Sequence, residues 1–126
     1  MKITTDWLRE YLNYPNNLNL IDSMTSLGLE VESVNKFGKE SIIDLDVTPN
    51  RSDCLSIFGV ARDLSAKYNL KVNDIKVSKL EIKKNSKMIN KIDHNIAPVY
   101  SGLVLNNFNN KLNTPLFISR KLKACG

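Results

Sequence analysis

The run Asp46-Val47-Thr48-Pro49-Asn50-Arg51-Ser52-Asp53-Cys54-Leu55-Ser56-Ile57 constrains this chain more than any other stretch. Leading into it, Ile43, Leu45 and Val47 alternate with Asp44 and Asp46, so a strand from Ile42 to Val47 has one apolar and one wet face. Pro49 lacks the N–H that a ladder needs and ends the strand. Asn50 to Asp53 supply a polar turn and the next helix cap. A helix opens near Cys54 and runs to Tyr68, with Ile57, Phe58, Ala61, Leu64 and Tyr68 sharing a face. Strand, turn and helix follow without an intervening loop, which leaves little freedom in their packing. Gly59 inside that helix costs about 1 kcal/mol relative to alanine, so it marks close approach of a neighbour. Asn69 suits a left-handed stop.

The flanking segments supply more elements. Thr4 or Thr5 can cap a first helix, with Asp6 at its positive end and Trp7, Leu8, Tyr11 and Leu12 on one face. Pro15 bars its continuation. A second helix is expected from Leu18 to Leu27, capped by Asn17, with Leu20, Ile21, Met24 and Leu27 buried. Gly28 then takes a left-handed stop and Leu29 the apolar contact after it. Leu29 to Val34 alternates as a strand, and Gly38-Lys39-Glu40 turns the chain. From Lys71 to Lys87 the pattern weakens, which reads as a linker with edge strands around Val77, Leu80 and Ile82. Met88–Ile92 and Val99–Phe108 are further strand candidates, Asp93–Pro98 is a turn or a single helical turn, and Asn109-Asn110 turns the chain. Thr114-Pro115 opens a last helix, threonine capping and proline first inside it, with Lys121 and Lys123 at its negative end.

The chain has 126 residues, 42% of them hydrophobic, enough for one compact domain or two very small ones. No stretch approaches the roughly 20 apolar residues that cross a bilayer, and Met1-Lys2-Ile3 is followed by polar residues instead of an apolar signal core. No membrane partner and a cytoplasmic location are therefore expected. Cys54 and Cys125 form no CxxC pair and His94 is the only histidine, which argues against zinc. Two free thiols suit a reducing compartment.

The net charge of +5 fits a polyanionic partner such as RNA, or solubility alone. Arg62, Lys67, Arg120, Lys121 and Lys123 lie on expected helices and are candidates for RNA or partner contact through phosphate; a solvated helix face is the default for them. Arg51 joins this set as a guanidinium offered to phosphate or to a partner carboxylate. The favoured alternative for Arg51 is a fork that holds the turn through Asp53 or Asp46. Asp44, Asp46 and Asp53 could hold Mg²⁺, although alternating Asp on a strand is more often its wet face. No Gly-rich phosphate loop and no GxSxG elbow is present. His94 sits in the polar run Asp93-His94-Asn95, where a solvated role is favoured. Catalytic residues and residues binding a cofactor are therefore expected to be absent.

In order along the chain, Trp7-Leu8-Arg9-Glu10-Tyr11, Leu27-Gly28-Leu29-Glu30-Val31-Glu32-Ser33-Val34, Asp46 to Ile57, Gly59-Val60-Ala61-Arg62-Asp63, and Tyr100-Ser101-Gly102 with Thr114-Pro115-Leu116 resemble the N-terminal part of the bacterial phenylalanyl-tRNA synthetase beta subunit. The resemblance implies an α+β chain. Residues 1–70 would form a small three-helix, winged-helix-like unit with a short antiparallel hairpin. Residues 71–126 would form a linker and the incomplete start of an α/β editing-type module. It departs from the family pattern in lacking the OB-fold insertion, since only Asn35 to Ser41 fill that gap, and Leu103 stands where arginine is usual. The family's editing site, Mg²⁺-binding carboxylates and anticodon-binding domain would lie past Gly126, and aminoacylation resides in the alpha subunit. The implied role is a structural, non-catalytic part of an alpha-beta heterotetramer that charges tRNA-Phe with ATP and Mg²⁺. The alternatives are a stand-alone basic RNA-binding module or a truncated product without activity of its own.

Overall fold

A computed structural model of the chain describes residues 1–74, 77, 79, 93–100, 102, 104 and 109–126. The expected strands around Val77 to Ile82, at Met88–Ile92 and at Val99–Phe108 fall wholly or largely outside the described residues. The described elements are β1 (Lys2–Thr4), α1 (Thr5–Tyr11), α2 (Leu20–Thr25), β2 (Glu30–Phe37), β3 (Glu40–Asp46), a 3-10 helix (Pro49–Cys54), α3 (Ile57–Tyr68) and α4 (Leu116–Cys125). The mixed α and β content agrees with expectation. The hairpin of β2 and β3 gains a third strand, giving an antiparallel sheet in the order β1-β3-β2. A winged-helix arrangement is not established by these elements.

Local chemistry accounts for the boundaries. The Thr4 hydroxyl accepts from the Trp7 N–H at 3.1 Å and so caps α1. The cap of α2 is Asn19, not Asn17, because the Asn19 side chain takes the Asp22 N–H. Gly28 (φ 77°) closes α2: its N–H reaches the Thr25 carbonyl and the Leu29 N–H reaches Met24, while both apolar side chains are fully buried. Gly38 (φ 64°) makes the two-residue turn that sets Phe37 opposite Glu40. In β2, Val31 opposes Leu45 and Ser33 opposes Asp44, so Glu32 is an extra, bulged residue. The bulge returns Val34, opposite Ile43, to the same sheet face as Val31. Asn69 (φ 50°) ends α3.

The core lies between the sheet and the helices. Ile3, Ile43 and Leu45 from the sheet meet Leu8 and Leu12 of α1, Met24 of α2, and Val60, Ala61 and Leu64 of α3. Three of the positions expected on buried faces, Ile21, Phe58 and Tyr68, are exposed. Ile21 is exposed while Ser23 is buried, its hydroxyl meeting the Asn19 carbonyl and the Tyr68 hydroxyl, because the short α2 turns that side toward α3. Phe58 stays partly exposed and meets Tyr11 edge-on, with centroids 5.8 Å apart. Gly59 is a contact point as expected: a Cβ there would sit 1.8 Å from the Asp53 carbonyl oxygen.

The chain forms two compact units, 1–76 with 114–126, and 77–113. The last helix, expected to belong to the 71–126 stretch, packs in the first unit against β1, where Ala124 is buried and the Cys125 thiol donates to the Lys2 carbonyl at 3.4 Å. Its N-cap is Pro115 and Thr114 makes no capping bond; the Pro115 carbonyl accepts from Ile118 and Ser119. In the other unit, Asp93 caps a turn by accepting the Asn95 and Ile96 N–H groups, and Asn109 accepts the Lys111 N–H.

Candidate functional site

The Thr-Pro-Asn-Arg segment places Arg51 where the 3-10 helix kinks (φ −111°, ψ 42°), aiming its guanidinium back across the first turn of α3. Its Nε donates to Asp53 Oδ1 at 3.2 Å and its Nη1 to the Leu27 carbonyl at 3.2 Å. Its Nη2 reaches Asp63 of α3 and the Cys54 sulfur, the latter at 2.9 Å. Arg62 adds a 2.9 Å bond to the second oxygen of Asp53. One fork thus ties the end of α2 to the 3-10 helix and to α3. The Asp46 partnership considered from the sequence is not formed; Asp63, twelve residues from Arg51, takes the place beside Asp53.

This network sets its own electrostatics. Hydrogen bonds from Arg51 hold the Asp53 carboxyl below its ordinary value, and Asp53 and Asp63 push Arg51 further up. Burial, then the Asp63 charge, pushes the Cys54 thiol up to about 11, so it is neutral at pH 7 and poor both as nucleophile and as metal ligand. Oxygen and sulfur atoms of Asp53, Cys54 and Asp63 lie within 4.8 Å of one another. The space among them faces the Arg51 guanidinium, and a divalent cation there would meet that charge and a protonated thiol. The residues therefore fit a guanidinium and not Mg²⁺. Of the sequence's other carboxylate candidates, Asp44 pairs with the N-terminal ammonium at 3.3 Å.

The remaining candidate cations fall into two groups. Lys67 donates to the Ser26 hydroxyl beside the Tyr68 ring. On α4, Arg120 Nη2 lies 2.8 Å from Glu40 Oε1, and Glu40 has a side chain only 4% exposed. Lys121 lies 2.6 Å from Glu10 and 4.8 Å above the Trp7 ring. Lys123 has no ion-pair partner among the described residues. It lines a cleft of about 610 Å³ between α4 (Leu116, Ser119, Arg120, Lys123), the hairpin tip (Phe37, Gly38, Lys39) and Asp6. The fold thus brings Arg51 and Arg62 together at Asp53, and Arg120, Lys121 and Lys123 together on α4; Lys67 stands apart from both. Sequence reasoning missed Glu40 and Asp63, the anions that engage them. An acidic residue directly after a hairpin turn and an Asp next to Arg62 were the visible signals, but neither names its partner.

No family model matches the chain. Over 89 residues, 69% of the chain, it is 40% identical to the phenylalanine–tRNA ligase beta subunit of Francisella tularensis. This chain belongs to the phenylalanine–tRNA ligase beta subunit family. Over 100 residues, 79% of the chain, it is 35% identical to the beta subunit of Acinetobacter baylyi, and over 94 residues 37% identical to that of Blochmanniella floridana. It spans only 11–12% of the length of these three beta subunits. Among the described residues no helix is long and apolar enough to cross a membrane.

Proposed function

We propose that the chain is a structural, non-catalytic element of a phenylalanine–tRNA ligase. Within the assembly it supports ATP- and Mg²⁺-dependent charging of tRNA-Phe, a reaction carried out in the cytoplasm by an alpha-beta heterotetramer. The observation that carries this reading is the Arg51 fork. The most family-like segment of the sequence commits Arg51, Asp53 and Cys54, together with Asp63 of α3, to binding three elements to one another. A guanidinium held by two carboxylates and a carbonyl is a rigid cross-brace. A thiol kept neutral beside it is not a poised reactive group. The unit 1–76 with 114–126 would then act as a winged-helix-like platform for the rest of the assembly.

The test is co-expression of the tagged chain with the alpha subunit from the same genome. Co-elution at a fixed stoichiometry is the expected result, together with no ATP–pyrophosphate exchange and no deacylation of Tyr-tRNA by the purified chain alone. Turnover of either substrate by the isolated chain, or failure to retain the alpha subunit, overturns the reading.

A further inference from the structure

We infer that β2 is a docking edge for a second copy of this chain, the two β2 strands pairing antiparallel about Val34. β2 spans Glu30–Phe37 and forms one side of the sheet β1-β3-β2, with no strand beyond it among the described residues. The other edge, β1, is three residues long and has α4 packed against it. An eight-residue edge with nothing across it is a template for another strand.

The alternation of hydrogen bonds fixes which backbone groups are open. The two-residue turn at Gly38-Lys39 is closed by Phe37 and Glu40, and the closing pair of such a turn exchanges both of its bonds. Asn35, opposite Ile42, and Ser33, opposite Asp44, follow at the same phase. The N–H and C=O groups of Val34 and Lys36 therefore point away from β3. Outward groups must meet outward groups, so a two-fold antiparallel pairing can be centred on a residue but not between two.

The sequence selects the centre. Counting outward from Val34, Ser33 is matched by Asn35, Glu32 by Lys36 and Val31 by Phe37. The stretch is a palindrome of chemical character with opposite charges at its mirrored places. A two-fold pair about Val34 sets valine on valine, polar on polar, and each Glu32 against the other copy's Lys36. Centring on Ser33 or Asn35 would instead set Val34 against Glu32 or Lys36. Glu32 and Lys36 have no ion-pair partner among the described residues. Glu32 is the bulged residue that no β3 residue opposes. Val34 is 43% exposed although it stands opposite the buried Ile43, so pairing covers an apolar side chain that the single chain leaves open. Charges on an edge deter strands in general; two of opposite sign, placed symmetrically, admit one partner in one register. The contact needs no alpha subunit and goes beyond the structural role proposed above, so either can fail while the other stands.

The test is sedimentation equilibrium of the 126-residue chain from micromolar to millimolar concentration, with reductant so that the exposed Cys125 forms no cross-link. A reversible monomer–dimer equilibrium is expected, weak because a single pair of strands buries little area. Glu32→Lys and Lys36→Glu are each expected to weaken dimerisation about tenfold or more, since each sets like charges opposite one another twice. An equimolar mixture of the two variants is expected to return to within about threefold of the wild-type affinity, and so is the chain carrying both changes, because the opposite charges face each other again. Both positions are exposed, so circular dichroism of all three variants should match the wild type. Amide exchange in the wild type is expected to slow with concentration at Val34 and Lys36 but not at Ser33 or Asn35, whose amides already face β3. A chain that stays monomeric, single variants that dimerise as the wild type does, a mixture no tighter than its components, or protection that does not favour Val34 and Lys36 each overturns the proposal.

Discussion

Asp53 accepts from Arg51 and Arg62 and lends its backbone carbonyl to the close approach of Gly59. Two consequences follow from that one residue. Its carboxyl is held below the ordinary value, chiefly by Arg51. A depressed folded-state value stabilises the fold above the unfolded value, near 3.9, and the contribution disappears as pH falls through the folded value. The stability difference between wild type and Asp53→Asn should therefore be constant above about pH 5 and shrink steadily as pH falls below the unfolded value; urea unfolding at acid pH measures it, and a flat difference would refute the assignment. The backbone side is steric. An added Cβ 1.8 Å from a carbonyl oxygen cannot be absorbed by a side-chain rotation. Gly59→Ala should destabilise by about 3 kcal/mol, although alanine is the better helix former, and a loss under about 1 kcal/mol in denaturant unfolding would show that α3 simply shifts.

The elements differ in how they are held. Thr4, Asn19 and Ser56 cap α1, α2 and α3 through side-chain bonds to backbone N–H groups, and Gly28 and Asn69 close α2 and α3. These signals are local: Thr4, Gly28 and Asn69 were legible in the residues themselves, whereas Asn19 replaces the expected Asn17, and Ser56 replaces a cap expected within Asn50 to Asp53 because Pro49–Cys54 forms a 3-10 helix first. The helix α4 has no such cap. It is held instead by one buried methyl, Ala124, and by Arg120 and Lys121 on Glu40 and Glu10. Glu40 is the sensitive partner: removing Arg120 leaves a carboxylate with a 4% exposed side chain and no cation. Arg120→Met should cost about 1–3 kcal/mol, while Glu40→Leu/Arg120→Met should recover most of it, because the loss arises from the stranded charge. Chemical denaturation of the two variants decides; equal losses would mean that α4 is held by packing alone.

At the scale of the whole molecule, the larger unit closes only when residues 114–126 return to it past residues 77–113. Closure of so long a loop must precede the docking of α4. In α3, Gly59, Val60, Ala61 and Leu64 are buried, against Ala124 alone in α4. The amides of α4 should accordingly exchange with deuterium well before those of α3, and comparable protection would contradict the closing role of residues 114–126. Leu116, Phe117 and Leu122 remain largely exposed, and Ala124 is the one buried residue of this helix.

Punctuation and spacing were enough to place the hairpin, the neighbourhoods of the caps and the Gly59 contact, because each depends on residues close together in the chain; the kinship with a tRNA ligase subunit rested on the resemblance of whole segments such as Asp46 to Ile57. The strand at Lys2–Thr4 was not legible: three residues carry no period, and only pairing with Ile42 to Asp44 makes them a strand. The choice of Asp63 over Asp46 for Arg51, and of Glu40 for Arg120, was decided by the tertiary structure alone. A charge on a sequence advertises its sign but not its partner; which opposite charge reaches it depends on the angle at which distant elements pack.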